Sequence, residues 1–270
     1  LKNQRYFEPF FWLFLLEDKG LNLAWVGLLM GFRELCVNVL EIPSGVVADL
    51  YGRRRCMVFS FLAYIASLAM FALAGATWAL FAAMLLFAVG EAFRTGTHKA
   101  IIFDWLASQN RGGERTKVYG YTRSWSQVGS AVSVILAPII AVASGDYTWL
   151  FWLTIPPYAA NVVNFISYPK YLEGPMRPKV SVREAARHLA GALRASVGRR
   201  SLRRVLVDSM AHDGVYATVK DFLQPVLRQA ALAMPVLLAW SGHTRTALLA
   251  GLVNCPLYLL SAAGSRTAHR

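Results

Sequence analysis

Gly45-Val46-Val47-Ala48-Asp49-Leu50-Tyr51-Gly52-Arg53-Arg54-Arg55 separates two long apolar runs with one acid, three arginines and a glycine near either end. A soluble core has no use for such a stretch. Two apolar helices that leave and re-enter a bilayer can be joined this tightly when the turn is permissive at glycine and its arginines sit among anionic headgroups. The stretch therefore reads as a glycine-bracketed loop between two membrane helices.

Composition points the same way. The chain has 270 residues, of which 56% are hydrophobic and 16% charged, well beyond the balance of a soluble domain. Runs long enough to cross about 30 Å of hydrocarbon predict eight helices, near residues 4–18, 21–47, 56–75, 78–103, 122–144, 148–168, 204–228 and 245–264. The third, sixth and eighth are the cleanest, because Cys56 to Ala74, Trp149 to Tyr168 and Thr246 to Ala263 carry no charge. The first is short for a full crossing, and the start, without an initiator methionine, reads as clipped. Ala230 to Trp240 is too short to span and contains Pro235, so it reads as an outer loop or bent helix end. No cleavable signal peptide is visible in the opening residues. Cys36, Cys56 and Cys255 are far apart and lack the spacing of a zinc site or disulfide framework.

The net charge of +13 would suggest nucleic acid in a soluble protein, but its distribution reads as topology. With the amino terminus cytoplasmic, 21 of the 28 basic residues fall in inner loops and termini, Arg5 among them. Lys19, Arg228 and Arg245 face out. The ten basic residues from Lys170 to Arg204 form a long inner loop. In it Ser181-Val182-Arg183-Glu184 is a capping box, and Val182, Ala185, Ala186, Leu189 and Leu193 follow at helical spacing. This predicts an interfacial helix or, alternatively, a soluble linker helix. The expected division is a six-helix bundle over 1–168, the basic loop over 169–204, and the start of a second bundle over 205–270.

A charge at membrane depth costs at least a few kcal/mol and persists where it faces protein or water, so its placement marks a polar path. The first run carries Glu8, and the second Arg33, Glu34 and Glu41. Gly27, Gly31, Glu34, Asn38, Glu41 and Gly45 share one face of that second helix, where glycines would admit a close neighbour. Glu34 and Glu41 fit equally a structural pairing across that contact or a transport path, while Arg33 is expected to point about 100 degrees away. In the fourth run Glu91, Arg94 and His98 fall at i, i+3, i+7 on one stripe. Within a dry bundle Glu91 and Arg94 would neutralise each other; facing water, the stripe could bind a charged solute, and Glu91 could carry a proton. The seventh run places Asp213, Tyr216, Lys220 and Gln224 along one face, with Asp208 and His212 on another. Lys220 fits a snorkelling helix end as well as an outer gate.

The spacing G-x-x-A-D-x-x-G-R-R-R resembles the loop between helices 2 and 3 of the major facilitator superfamily (MFS) of secondary transporters. The resemblance implies an all-α membrane protein with an MFS-type helical bundle, about eight transmembrane helices being present of an expected twelve. It also implies that the first, fourth and seventh helices line a central cavity while the third and sixth lie outside. Charges heavy in runs one, four and seven and absent from three and six agree with this. By the same resemblance Gly45, Asp49, Gly52, Arg53 and Arg54 form a cytoplasmic gate. There Asp49 meets a helix end of the other half, and Arg53 meets Asp104 at the foot of helix four. Gly264-Ser265-Arg266 stands where the second copy of that loop would begin, so the chain reads as a fragment or truncated frame.

The function implied is secondary active transport of a small solute by alternating access, with protons as the expected coupling ion. The cavity residues are Glu8, Arg33, Glu34, Glu41, Glu91 and Arg94, with His98, Asp213 and Lys220. The location implied is the plasma (inner) membrane, multi-pass. The bilayer and a small-molecule solute are the partners, with no nucleic acid, obligate protein partner, cofactor or metal. A membrane enzyme is disfavoured by the lack of H-E-x-x-H or G-x-S-x-G. The alternative is a transport-inactive sensor or scaffold on the same fold.

Overall fold

Gly52 is where the opening stretch leaves the helix. In the computed structural model, which describes residues 4–169, 198, 200–234 and 241–267, helix α2 (Leu23–Tyr51) runs unbroken through Gly45 and Asp49. Gly52, at φ 94°, then turns the chain directly into α3 (Arg53–Leu73). The expected glycine-bracketed loop is therefore one residue long. The Gly52 amide closes the last turn of α2 on the Ala48 carbonyl, and the Gly52 carbonyl accepts from Cys56 in the first turn of α3. A side chain at this φ would be strained, so only the second glycine has a backbone reason to be glycine.

The remaining helices are α4 (Thr77–Ser108), α5 (Arg115–Ser144), α6 (Thr148–Ile166), α7 (Arg200–Ala233) and α8 (Gly242–Thr267). They follow an irregular first run, α1, made of a 3-10 turn Glu8–Phe10, one α turn Phe11–Leu13 and a π turn Phe14–Asp18. Among the described residues five helices are long and apolar enough to cross a membrane: the first part of α2, α3, α4, α5 together with the turn before it, and α8. Helix α6, expected to be one of the cleanest spans, is not among them. It has no charge, but Pro156, Pro157, Asn161 and Asn164 dilute its apolar content. The expected interfacial helix from Ser181 lies outside the described residues up to residue 197, as does Pro235.

In lipid the hydrophobic effect does not drive helices together, so packing and polar contacts must. Helix α4 is the hub, packed against α2 and α3, and α6 lies on the far side of α3. Small hydroxyls stitch these contacts: Ser44 donates to the Ala92 carbonyl, Ser60 to Gly90 and Ser67 to Ala83. Gly90 earns its place here, since a Cβ would stand 3.0 Å from the Tyr64 ring and 3.1 Å from the Ser60 carbonyl. A second close pair is α5 with α8, where a Cβ on Gly120 would meet the Ser265 carbonyl at 2.6 Å and one on Gly251 would meet Pro138. Helix α1 and the residue before it fill the interior with Phe7, Phe10, Phe11 and Phe14, whose rings pack on Phe71, Tyr147 and Phe151. Large apolar side chains such as Leu35, Leu62, Trp78, Trp125 and Leu252 point outward, as a lipid-facing surface requires.

The glycine face of α2 differs from expectation. A Cβ on Gly27, Gly31 or Gly45 would meet nothing within 4 Å, and Glu34, Asn38 and Glu41 beside them are exposed. Helix α2 instead buries Val26, Leu29 and Met30, because these bulky side chains are the ones that fill the space beside α1 and α4.

Candidate functional site

The polar interior of the bundle centres on Glu91, midway along α4. The Arg94 guanidinium, one turn on, bonds its carboxylate, and Arg5 reaches the same group at 2.8 Å from just before α1. The Tyr64 hydroxyl of α3 donates to Glu91 and accepts from Arg94 Nε at 3.0 Å and Arg5 Nη2 at 3.1 Å. Tyr158 of α6 accepts from Arg5 Nε at 2.9 Å. Side-chain exposure is 12% for Arg5, 16% for Arg94 and 22% for Glu91, so one acid and two guanidiniums share a largely desolvated node. Glu8, 3.8 Å from Arg5, supplies a second carboxylate at the edge.

Two cavities flank the node and share Arg5 and Glu8. The first, about 250 Å³, lies between α1, α2, α4 and α7, with Phe11, Trp12, Met84 and Phe87 as apolar walls and Arg33 and Glu34 at its margin. The second, about 230 Å³, lies between α4 and α5. His98, expected on the stripe with Glu91 and Arg94, lines it with Arg94.

Several expectations change. Arg5, counted among the cytoplasmic charges, is a buried member of the node. In the sequence it stands just before an apolar run, where a flanking loop charge and the first charge of a helix look alike. Tyr64 and Tyr158 were invisible because α6 and the part of α3 beyond its arginine-rich first turn carry no charge and were expected outside; a phenol reaches the node without announcing itself in a charge count. Arg33, expected to point away, curls back to bond its neighbour Glu34 at 2.6 and 3.0 Å, since its long stem spans the 100° offset. Glu41 is exposed and lines neither cavity described here. The side chains of Asp213 and Lys220 lie outside the described residues, as do those of His212 and Tyr216.

At the α2–α3 turn Arg53 meets Asp104 at the foot of α4, and Asp49 lies 3.6 Å from Arg53 on the i,i+4 spacing. Asp49 is about half exposed, and its ion pair among the described residues is with Arg53 rather than with a helix end of another unit. Arg54 caps α6, donating to the Ile166 and Tyr168 carbonyls at 3.3 and 3.0 Å. Gly45 sits inside α2, outside the turn.

The opposite rim holds contacts that the sequence did not reveal. Gln224 of α7 inserts its amide into α1: the Trp12 N–H donates to Gln224 Oε1 at 2.9 Å, and Gln224 Nε2 donates to the Glu8 carbonyl at 3.0 Å. These are the two backbone groups that an unbroken α-helix would pair with each other, so the amide interrupts the helix where the 3-10 turn passes into the α turn. Phe222 packs on Trp12 at 5.4 Å. At the rim itself Arg228 bonds Glu17 at 2.6 Å, and Asp18 accepts the Tyr147 N–H at 2.6 Å. Burial pushes the Asp18 carboxyl up to about 6, with Asp146 and Glu17 adding to the rise and the Tyr147 amide and Lys19 opposing it. Among the described residues no group of three potential metal ligands gathers.

Comparison with known proteins places this arrangement. Inner membrane transport protein YajR of Escherichia coli (strain K12) is 26% identical over 136 residues, which is 50% of this chain and 28% of that protein. An uncharacterized transporter of Buchnera aphidicola subsp. Schizaphis graminum is 28% identical over 137 residues, 50% of this chain and 33% of its own. Crystal structures of a mutant peptide transporter POT, one in complex with alafosfalin, cover 86% of this chain at a TM-score of 0.49, with 17% and 18% identity. The matched regions thus span about a third or less of the curated relatives and about half of the solved chains. The family model described as Major Facilitator Superfamily matches residues 3–265, nearly the whole chain, and this multi-pass integral membrane protein therefore belongs to the Major Facilitator Superfamily of transporters.

Proposed function

We propose that the chain is part of a secondary carrier that moves a small solute by alternating access, coupled to protons, with its amino terminus and the arginine-rich α2–α3 turn on the cytoplasmic side of the plasma (inner) membrane. The observation that carries this reading is the Arg5–Glu91–Arg94–Tyr64 node standing between two polar-edged cavities deep in the bundle. Buried charges of this number are costly and are kept where a hydrated path passes them.

The node draws α1, α3, α4 and α6 into one unit, and residues 1–168 are proposed to move as that unit against the bundle begun by α7 and α8. Contacts between α1 and α7 hold one rim together in the present state, and rocking must exchange them for others. Glu91 is saturated with donors, so it serves best as a fixed counter-ion. Glu8 lines both cavities, which makes it the carboxylate best placed to exchange a proton with either side. The margins carry both signs of charge, which suits a polar solute.

Proteoliposomes holding the full chain and a pH-sensitive dye test this. Solute-dependent proton movement is expected, and Glu8→Gln is expected to abolish it while leaving solute counterflow in place. Folded protein that moves neither solute nor protons would overturn the carrier reading in favour of a sensor or scaffold.

A further inference from the structure

We propose that the groove between α4 and α5 is a binding site for the carboxylate or phosphate group of an anionic ligand. The groove is built from two facing helical stripes. On α4 it takes Arg94, Thr95, His98 and Lys99, at i, i+1, i+4 and i+5; on α5 it takes Tyr119, Thr122, Arg123, Ser126 and Gln127, at i, i+3, i+4, i+7 and i+8. Neither stripe supplies an aliphatic side chain or a carboxylate. Two helices packed for stability alone would fill this space with apolar groups, as α3 and α4 do; here about 230 Å³ is left with polar walls.

The charge is one-sided. Arg5, Arg94, Lys99 and Arg123 line the groove against a single acid, Glu8. Arg5 and Arg94 already share Glu91, whereas among the described residues neither Lys99 nor Arg123 has an ion-pair partner. The Lys99 ammonium is steadied over the Phe103 and Tyr119 rings at 5.6 Å, a contact that positions a cation without neutralising it. The Ser126 hydroxyl and the Gln127 amide stand beside the cations as further donors, the mixture that recognises an oxyanion. The volume lies below the roughly 300 Å³ at which drug-sized ligands begin, so the ligand is small.

This names the solute class of the carrier and rests on the carrier reading only for the claim that the ligand crosses. The same chemistry is offered by a free organic anion and by an acidic lipid headgroup. The test measures thermal unfolding of the full chain in phosphatidylcholine nanodiscs at constant ionic strength, with inorganic phosphate, succinate and tetramethylammonium as probes. Phosphate or succinate is expected to raise the melting temperature with dose and tetramethylammonium is not. Lys99→Gln and Arg123→Gln are each expected to weaken the response about tenfold, with Arg123→Lys close to the parent. Arg123 is solvent-exposed, so its replacement leaves the unliganded fold intact. Repeating the melt with phosphatidylglycerol in the disc assigns the source: if that lipid stabilises the parent but not Arg123→Gln, and the soluble anions then add nothing, the anion is a headgroup. Equal responses to all three probes, or responses untouched by both glutamine variants, would overturn the site. Counterflow of succinate keeps the two readings apart: binding without flux defeats the carrier and leaves the site, while flux unchanged in Lys99→Gln and Arg123→Gln does the reverse.

Discussion

Four helices meet at Glu91, and two meet at Gln224. The node around Glu91 joins α1, α3, α4 and α6 through charge-assisted bonds that are largely desolvated, so losing one partner strands the others. Among the described residues the contacts between α1 and α7 include one neutral amide, one ring pair and one partly exposed ion pair. The first arrangement is expensive to open and suits a unit that stays rigid. The second can be exchanged at a cost of a few kcal/mol, the range in which ligand binding shifts a population. Strength is thus placed inside the proposed moving unit and weakness at its boundary.

The largest effect is expected at the node. Glu91→Gln leaves Arg5 and Arg94 sharing a site without a counter-ion, and a loss of about 3 kcal/mol is expected, read as a lowered melting temperature in detergent or lipid. Tyr64→Phe removes a donor to Glu91 and an acceptor for both guanidiniums and should cost about 1–2 kcal/mol. If Glu91→Gln melts like the parent, the node is not the rigid centre and the comparison fails.

Next in size is Gln224→Leu. The Trp12 amide and Glu8 carbonyl would lose their shared partner, but they face each other across one helical turn and can re-form an ordinary α-helical bond. A loss of about 1 kcal/mol is therefore expected, smaller than for a buried amide with no alternative. The sharper sign is kinetic. Cysteine labelling near Trp12 should speed up, because a straightened α1 releases α7, and slowed or unchanged labelling would show that the amide does not hold the rim.

How much of this was legible follows from what charge and period can report. Helix positions showed because apolar runs of span length are hard to disguise, and the Arg53–Asp104 pair showed because both residues sit at helix ends where the resemblance placed them. The extent of α2 did not, since Gly45 looks like a turn residue and nothing local forbids it from a helix. Arg5 was hidden by its place at the edge of an apolar run, and Tyr64 and Tyr158 by their lack of charge. Gln224 was noticed on its helix face, but nothing local predicts that a side-chain amide will replace a backbone bond 212 residues away. The open groove beside α5 was equally hidden, because an alternation of Thr, Ser and Gln on a helix reads as packing until the opposing stripe is seen to stand off.

At the rim the ion pair of Arg228 with Glu17 is about 39% and 20% exposed, and Arg228→Gln should cost no more than about 1 kcal/mol, with the loss shrinking in high salt. A salt-independent loss of several kcal/mol would place a second rigid node at the boundary and remove the contrast.

The smallest effect concerns Asp18, which faces Glu17, Lys19, Asp146 and the Tyr147 amide. Its carboxyl titrates at about 6 in the fold and near 3.9 in an unfolded chain. Between those values the folded state holds more protons than the unfolded one, so Asp18 makes stability fall as pH rises from about 4 to 6, with the full penalty present above that window. Asn at this position keeps an acceptor for the Tyr147 N–H and cannot ionise. Melting curves of Asp18→Asn should therefore lose the part of the slope that the parent shows between pH 4 and 6, and the variant should be the more stable of the two at pH 7. A parent whose melting temperature rises across that window, with the variant flat, would mean that the Tyr147 amide and Lys19 outweigh burial. The rim would then be tightened by the charge on Asp18, and deprotonation would favour closure of that rim, the opposite sense to the one derived from burial.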